Sequence, residues 1–380
     1  MKKKVLFVFG TRPEVIKMAP VIKLAKKSRK VDPIVCVTAQ HRFLLDQALR
    51  EFCIKPDIDL DLMRPDQSLY DVVSSVMQAA GAVYRKLRPD IVLVQGDTST
   101  VFAASLAAYY EGIDIGHIEA GLRSHDNRNP FPEEINRRFV SLVAKYNFCP
   151  TMEAKENLLT EGVSKNSIFV TGNTIVDALN GMLSDTAATP PSIPGLDIGF
   201  FEKPFVLITG HRRENFDTMK EICAAVKTLA ARYEDINWLW VIHLNPHVRR
   251  VVFEILKNIP NVRIVEPVPY KAFVYLMSRS KFIISDSGGV QEEAPSMGKS
   301  VLVTRNCTER PEAVETGTSI LVGTDKGRII KYASALLNGR VKKTCKRSPF
   351  GDGHAAERIL DIITDEKKAK LHPGPVKGRR

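Results

Sequence analysis

Residues 5–27, VLFVFGTRPEVIKMAPVIKLAKK, hold the pattern on which the fold reading turns. Val5 to Phe9 is an unbroken apolar run of strand length, the mark of a strand buried on both faces. Gly10 stops it, and Pro13 and Glu14 suit a helix N-terminus. From about Pro13 to Lys27, apolar Val15, Met18, Ile22 and Ala25 recur on one stripe, which predicts an amphipathic helix. A buried strand, a glycine turn and such a helix in close succession open a parallel α/β sheet.

The same grammar continues along the chain. PIVCVTAQ (33–40), IVLVQGD (91–97), IGHIEAG (115–121) and YNFCPT (146–151) are further strand-like runs, each separated by a helix-like segment. Residues 186–200, TAATPPSIPGLDIGF, gather proline, glycine and small residues without either period, and an interdomain linker is expected there. Beyond it come FVLITG (205–210), WLWVIHL (238–244), VRIVEP (262–267), KFIISDSGG (281–289), SVLVTRN (300–306) and SILVG (319–323). The expectation is therefore two Rossmann-like, doubly wound parallel-sheet domains, residues 1–185 and 201–354, facing a central cleft. Ligands of such sheets bind beyond the carboxyl ends of the strands, so the informative residues should follow strands.

Composition narrows the function. The chain has 380 residues, 44% hydrophobic and 26% charged, an ordinary globular mixture too long for one core. Its six cysteines form no CxxC pair, which argues against a zinc knuckle or a disulfide framework and for a reducing cytoplasm. The apolar run after MKKK is too short for a signal peptide, and nothing nears the roughly 18 apolar residues of a membrane span. The formal charge of +12 fits an anionic ligand, a membrane surface or nucleic acid. Part of it sits in a basic tail, 367–380, that lacks the aromatic interleaving of RNA binders, so no specific nucleic acid is expected.

The strand ends carry the chemistry. After the first strand, Arg12 and Lys17 flank a helix N-terminus, a geometry that suits a diphosphate, while neither GxxxxGK[ST] nor GxGxxG is present. Asp97 follows the third run, either as a cap of the next helix or as a site acid. His117 and Glu119 end the next run, and strand alternation puts them on one face. Glu133 and Glu134 fall in the first turn of a helix after a proline-stiffened loop, where they also favour the dipole. Asp97, Glu119 and Glu133 together resemble apparatus for moving protons, and paired carboxylates can alternatively hold magnesium. Asp59-Leu60-Asp61 and the HxxxH spacing of His243 and His247 read as surface and turn features, so no metal is expected.

In the second half, His211 stands where a strand ends, among cations. Ser287, Gly288 and Gly289 open a helix with bare backbone N–H groups suited to phosphate, and Glu293, a turn further on, can accept two hydroxyls of a ribose diol. Arg310 adds a cation after the next strand.

GTRPE (10–14), GDTST (96–100), HIEAGLRS (117–124), PFPEEINR (130–137), GHRREN (210–215), SDSGGVQEEAP (285–295) and GDGHAAERI (351–359), in this order, resemble the non-hydrolysing UDP-N-acetylglucosamine 2-epimerase family. The resemblance covers residues 5 to about 365 and implies a GT-B fold, commonly a homodimer, with a last helix at 355–366 crossing back to the first domain. By matching motifs it implies that Arg12, Lys17, His211, Ser287, Gly288, Gly289, Glu293 and Arg310 contact UDP, with His211 serving the leaving diphosphate. Asp97, Glu119 and Glu133 would then handle protons at the sugar, and no cofactor is needed. Two alternatives stay open: a 2-epimerase of a related UDP-diacetamido-uronic acid, and a GT-B glycosyltransferase. Gln40 and His41 fit the segment that binds an activating second substrate in bacterial members, whereas Phe43 and Met63 to Asp66 depart from it.

Overall fold

A computed structural model describes the chain except Met1, His41, Pro65 and residues 211–217, 342–347 and 366–380. His211 and the basic tail thus lie outside the described residues. The chain divides into two compact units, one built from residues up to 178 and again from 350, the other from 179 to 349.

The first unit has seven strands, β1 (Lys3–Phe9), β2 (Val31–Val37), β3 (Ile58–Asp59), β4 (Ile91–Gln95), β5 (Asp114–Ile118), β6 (Tyr146–Cys149) and β7 (Ile168–Val170). They form one parallel sheet in the order β3-β2-β1-β4-β5-β6-β7. Its helices are α1 (Arg12–Lys27), α2 (Arg42–Glu51), α3 (Leu69–Leu87), α4 (Ser99–Tyr110), α5 (Glu133–Val143), α6 (Met152–Thr160) and α7 (Thr174–Ala188), the last running on into the second unit. Val5 to Phe9 and Ile91 to Val94 are no more than 1% exposed, so the central strands are apolar on both faces because helices cover both. Each such side chain contributes roughly 1.5–3 kcal/mol by leaving water. The predicted stripe of α1, Val15, Met18, Ile22 and Ala25, is wholly buried.

The second unit repeats the plan with α8 (Met219–Arg232), α9 (Pro246–Leu256), α10 (Tyr270–Arg279), α11 (Gly288–Glu293), α12 (Pro311–Glu315) and α13 (Lys326–Leu337) around six parallel strands. These are β8 (Phe205–Thr209), β9 (Asn237–Val241), β10 (Val262–Val265), β11 (Ile283–Ser285), β12 (Val301–Val303) and β13 (Ser319–Leu321), in the order β10-β9-β8-β11-β12-β13. The strand order reverses between β1 and β4 in one sheet and between β8 and β11 in the other. Loops leaving neighbouring strands at such a switch point diverge and open a crevice. GTRPE and GDTST follow β1 and β4, and SDSGG follows β11, so three of the motifs stand at switch points.

The final helix, α14 (Ala355–Thr364), packs on α1 in the first unit. Asp177, on α7, accepts from the N–H groups of Ala356 at 2.9 Å and Ala355 at 3.3 Å, and the Asn173 N–H donates to the Phe350 carbonyl at 2.7 Å. Arg358 holds Asp352 with two bonds of 2.8 and 2.6 Å and reaches the Thr171 carbonyl, which closes the GDGHAAER turn. Burial pushes the Asp177 carboxyl up to about 6 against the pull of those N–H groups. Asp177→Ala leaves the first amides of α14 without their acceptor and should destabilise the first unit by about 1–2 kcal/mol. Both tryptophans, Trp238 and Trp240, belong to the second unit. The loss should therefore show in the urea transition followed by far-UV circular dichroism and not in the one followed by tryptophan fluorescence.

Candidate active site

The turn after β1 is fixed by close approach and by one carboxylate. A Cβ on Gly10 would lie 2.2 Å from Thr38 Oγ1, so only glycine passes. The N–H groups of Gly10 and Thr11 donate to Glu14 Oε2 at 2.8 and 2.6 Å, and Thr98 Oγ1 donates to Glu14 Oε1 at 2.7 Å. Both amides of this turn are thus taken by the chain's own Glu14. Arg12, half-buried, has no side-chain hydrogen bond or ion pair among the described residues, which leaves it as the cation of this turn that can meet an anion.

Lys17 forms an ion pair with Glu119, both side chains being about nine-tenths buried. Asn173 Nδ2 donates to the same Glu119 oxygen at 3.2 Å. The expectation that His117 and Glu119 share a strand face does not hold. β5 stops at Ile118 and Glu119 adopts φ 67°, the left-handed region that non-glycine residues rarely enter, so the pleat ends one residue too early. Glu119 turns to Lys17, while the buried His117 ring meets the Gly96 carbonyl through Nε2 at 2.8 Å.

Burial pushes the His117 imidazole down to about 4 from its ordinary 6.5. The unfolded chain then binds this proton more tightly, so the stabilisation is complete above pH 6.5 and is lost as the pH falls towards 4. The two end points differ by up to about 3 kcal/mol, at roughly 1.4 kcal/mol per pKa unit. Unfolding free energies from urea titrations between pH 7 and 4 should show a shallower acid slope in His117→Gln than in the parent chain. Parallel slopes would remove His117 as the source.

Asp97 follows Gln95, whose register partner in β5 is Ile118, so Asp97 and Glu119 leave adjacent strand ends. The capping alternative for Asp97 fails, because Thr98 Oγ1 accepts the Val101 N–H at 3.3 Å and caps α4 itself. Asp97 instead pairs with Arg137 of α5, and its carbonyl accepts from Asn136 Nδ2 at 2.9 Å. Arg137 also lies 3.3 Å from Glu134 Oε2. Glu134 is fully buried, and its Oε2 accepts the Ser124 N–H at 3.1 Å. Glu133, by contrast, is half-buried at the start of α5. Of the two neighbouring acids, α5 turns Glu134 towards Arg137. The structure thus gathers Lys17 with Glu119, and Asp97 with Arg137. Asn173, Arg137, Glu134 and Glu14 are additions the motif reading missed. The Thr11-x-x-Glu14 capping box and the Glu134/Arg137 spacing of three on one helix were local signals for three of them.

In the second unit, Ser285 ends β11 and its Oγ accepts the Ser287 N–H at 3.0 Å, shaping the turn into α11. A Cβ on Gly288 would fall 2.8 Å from the Arg310 guanidinium carbon, so this glycine lets Arg310 lie against the turn. Arg310 is not a bare cation: it bonds Glu292 Oε1 through Nε at 2.8 Å and approaches Glu309 at 3.1 Å. Burial alone would raise the Glu309 carboxyl, but bonds to Arg305 and the charges of Arg310 and Arg305 hold it well below the usual carboxylate range. Glu293 is 5% exposed and accepts from the Tyr270 hydroxyl at 3.3 Å. Ser287, Gly288 and Gly289 are half-buried at the start of α11.

Metal-like patterns dissolve into local pairs. Arg42 meets Asp59 at 2.7 Å, Asp46 at 3.3 Å and Asp61 at 3.6 Å, so the DxD acids surround a guanidinium. Asn245 caps α9 through the His247 N–H, and its own N–H donates to His243 Nδ1. Among the described residues no group of three or more His, Cys, Asp or Glu side chains is placed to hold a metal, and no helix is long and apolar enough to cross a membrane.

Two Rossmann-like units, each with polar motifs after strands at its switch point, define the GT-B class. The sequence profile for UDP-N-acetylglucosamine 2-epimerase matches residues 23–364, and the chain belongs to that family. It is 45% identical over 378 residues to the UDP-N-acetylglucosamine 2-epimerase of Campylobacter jejuni, across 97% of this chain and 99% of that one. A crystal structure of the Neisseria meningitidis UDP-GlcNAc 2-epimerase bound to UDP-GlcNAc matches with a TM-score of 0.88 and 44% identity, over 95% of this chain and 99% of that one. The S. aureus MnaA structure with UDP matches with a TM-score of 0.89 and 42% identity, over 99% and 100% of the two chains. Membership of this family sets the transferase alternative aside.

Proposed function

We propose that this chain interconverts UDP-N-acetylglucosamine and UDP-N-acetylmannosamine by inverting C2, through elimination of UDP and its re-addition. The observation that carries the reading is the pair of acids, Asp97 and Glu119, leaving adjacent strand ends, each held by a cation from another element. C2 of the sugar is not next to a carbonyl, so its carbanion has no ready stabilisation. Loss of the C2 proton to a carboxylate accompanies cleavage of the C1–O bond, whose electron pair leaves on the diphosphate. The products are UDP and 2-acetamidoglucal. UDP then adds back at C1 while a proton reaches C2 from the other face, so atoms and charge balance without a redox partner.

In this reading Asp97, Glu119 and Glu133 divide the proton transfers. Arg12, Lys17, His211, Ser287, Gly288, Gly289 and Arg310 serve the diphosphate, and Glu293 the ribose. Lys17 does so from its place beside Glu119, which ties the charge of the leaving group to that of the acid. Cations that meet the departing diphosphate lower the barrier more than they aid binding, because negative charge grows there only as the C1–O bond breaks. The homodimer implied by the resemblance belongs to the same proposal.

Proton NMR with UDP-N-acetylglucosamine in D₂O tests the reading. Deuterium at C2 with the anomeric signals of UDP-N-acetylmannosamine supports it. Free UDP with N-acetylmannosamine as the lasting products would mean hydrolysis instead. Tight UDP binding with no exchange at C2 would move the assignment to another UDP-sugar, the diacetamido uronic acids first.

A further inference from the structure

We propose that Glu14 is a positioning residue that sets Asp97 through Thr98; this rests on reading Asp97 as one of the proton-handling acids. Glu14 begins as half of a capping box with Thr11, and α3 shows what that motif needs: there Asp71 caps Ser68 from an exposed position. Glu14 performs the same task at 1% exposure, where burial pushes its carboxyl up. Capping α1 does not require that cost, because the exposed version of the box works elsewhere in the same unit.

The burial brings a contact that capping does not explain. Glu14 Oε1, the oxygen turned away from the Gly10 and Thr11 amides, accepts from Thr98 Oγ1 at 2.7 Å, 84 residues along the chain. Thr98 directly follows Asp97 and caps α4. One carboxylate thereby joins the two loops that diverge at the switch point between β1 and β4. Both sides of this link are braced from behind. Gly10 leaves no room for a Cβ against Thr38, the Thr38 and Thr100 hydroxyls are 3.2 Å apart, and Thr100 Oγ1 bonds Gln40 Oε1 at 3.0 Å. Between these braces, the bond from Thr98 to Glu14 helps to fix where the backbone of Asp97 lies. Arg137 holds the Asp97 side chain from the opposite helix. The acid is thus located by three attachments: the Thr98–Glu14 bond and the Asn136 bond to its own carbonyl at the backbone, and Arg137 on its carboxylate.

The experiment is a double-variant cycle on C2 deuterium exchange in the full chain, with kcat and KM measured separately. Glu14→Ala and Thr98→Val should each lower kcat roughly 10- to 100-fold with KM little changed, the scale of loss that small misplacements of a reacting group cause. Glu14→Gln should recover most of kcat, since its oxygen can take the two amides and its NH₂ can donate to the Thr98 hydroxyl. In an Asp97→Asn background, neither Glu14→Ala nor Thr98→Val should lower the residual rate further, because the group they position is already disabled.

Full multiplication of the two losses in the double variants would overturn the proposal, as would Glu14→Ala or Thr98→Val lowering thermal stability with kcat intact. If Glu14→Ala does not fold, Thr98→Val carries the cycle alone. If Asp97→Asn itself exchanges deuterium at the parent rate, the assignment of Asp97 fails and this inference with it. That outcome is distinct from a disabled Asp97→Asn on which Glu14 has an additive effect.

Discussion

Glu119→Gln should lower both the rate of epimerisation and C2 deuterium exchange by about 10²- to 10⁴-fold, the range a positioned acid or base contributes. UDP should bind it nearly as well as it binds the parent. The substitution is close to isosteric, and the amide oxygen can still accept from Lys17 and from Asn173 Nδ2, which both hold the Glu119 carboxylate. What disappears is a group that takes a proton. Lys17 also loses its counter-charge, so a thermal melt must accompany the kinetics, and the comparison is meaningful only where both chains are folded. Equal loss of UDP affinity and of rate would make Glu119 a binding residue. Parent-like exchange at normal UDP affinity would remove it from the proton path and leave Asp97 or Glu133 to carry the step.

The sequence reading was strongest where burial is greatest. Strands flanked by helices on both faces must be apolar throughout, so Val5 to Phe9, Ile91 to Val94 and Trp238 to Val241 announce themselves without any long-range information. β3, of two residues at an edge of its sheet, is too short for a run to rise above chance. The division of the chain is likewise set by contacts. The proline-rich stretch at 186–200 marks where α7 ends at Ala188, while the compact units part at 178, inside that helix.

At the site, residue types after strands could be read, but their partners could not. Lys17 meets Glu119 across 102 residues and Arg137 meets Asp97 across 40, pairings that exist only once the strand order is known. The strand period itself misleads at Glu119, since alternation presumes extended backbone and the chain leaves it there. Of two adjacent glutamates at a helix start, periodicity alone did not say which enters the core. The 100° step between them puts Glu134 inside and Glu133 at the rim, and only the packing of α5 on α4 decides it.

That buried glutamate makes Arg137 a vulnerable charge of the first unit. Arg137→Met should destabilise the unit by about 3–5 kcal/mol, the cost of leaving a buried charge without its partner. Glu134 has no exposure; among the described residues its Oε2 has the Ser124 N–H and Arg137 as partners, and its Oε1 has no hydrogen-bond partner. The guanidinium answers Glu134 by charge at 3.3 Å rather than by a hydrogen bond, its Nε and the nearer terminal nitrogen being buried without an acceptor among the described residues. Such a pair gains little in its intact form and loses much when halved, because the desolvation of the survivor is no longer offset. Adding Glu134→Gln to Arg137→Met should therefore restore much of the stability: a neutral amide keeps the Ser124 bond and has no charge to solvate. The same double variant should remain slow in C2 exchange, since Asp97 has lost the guanidinium that orients it. Urea denaturation of both variants by far-UV circular dichroism, beside deuterium exchange on the folded fraction, separates the two effects. A single variant within about 0.5 kcal/mol of the parent, the ordinary range of surface changes, would show that Glu134 is satisfied by something other than Arg137.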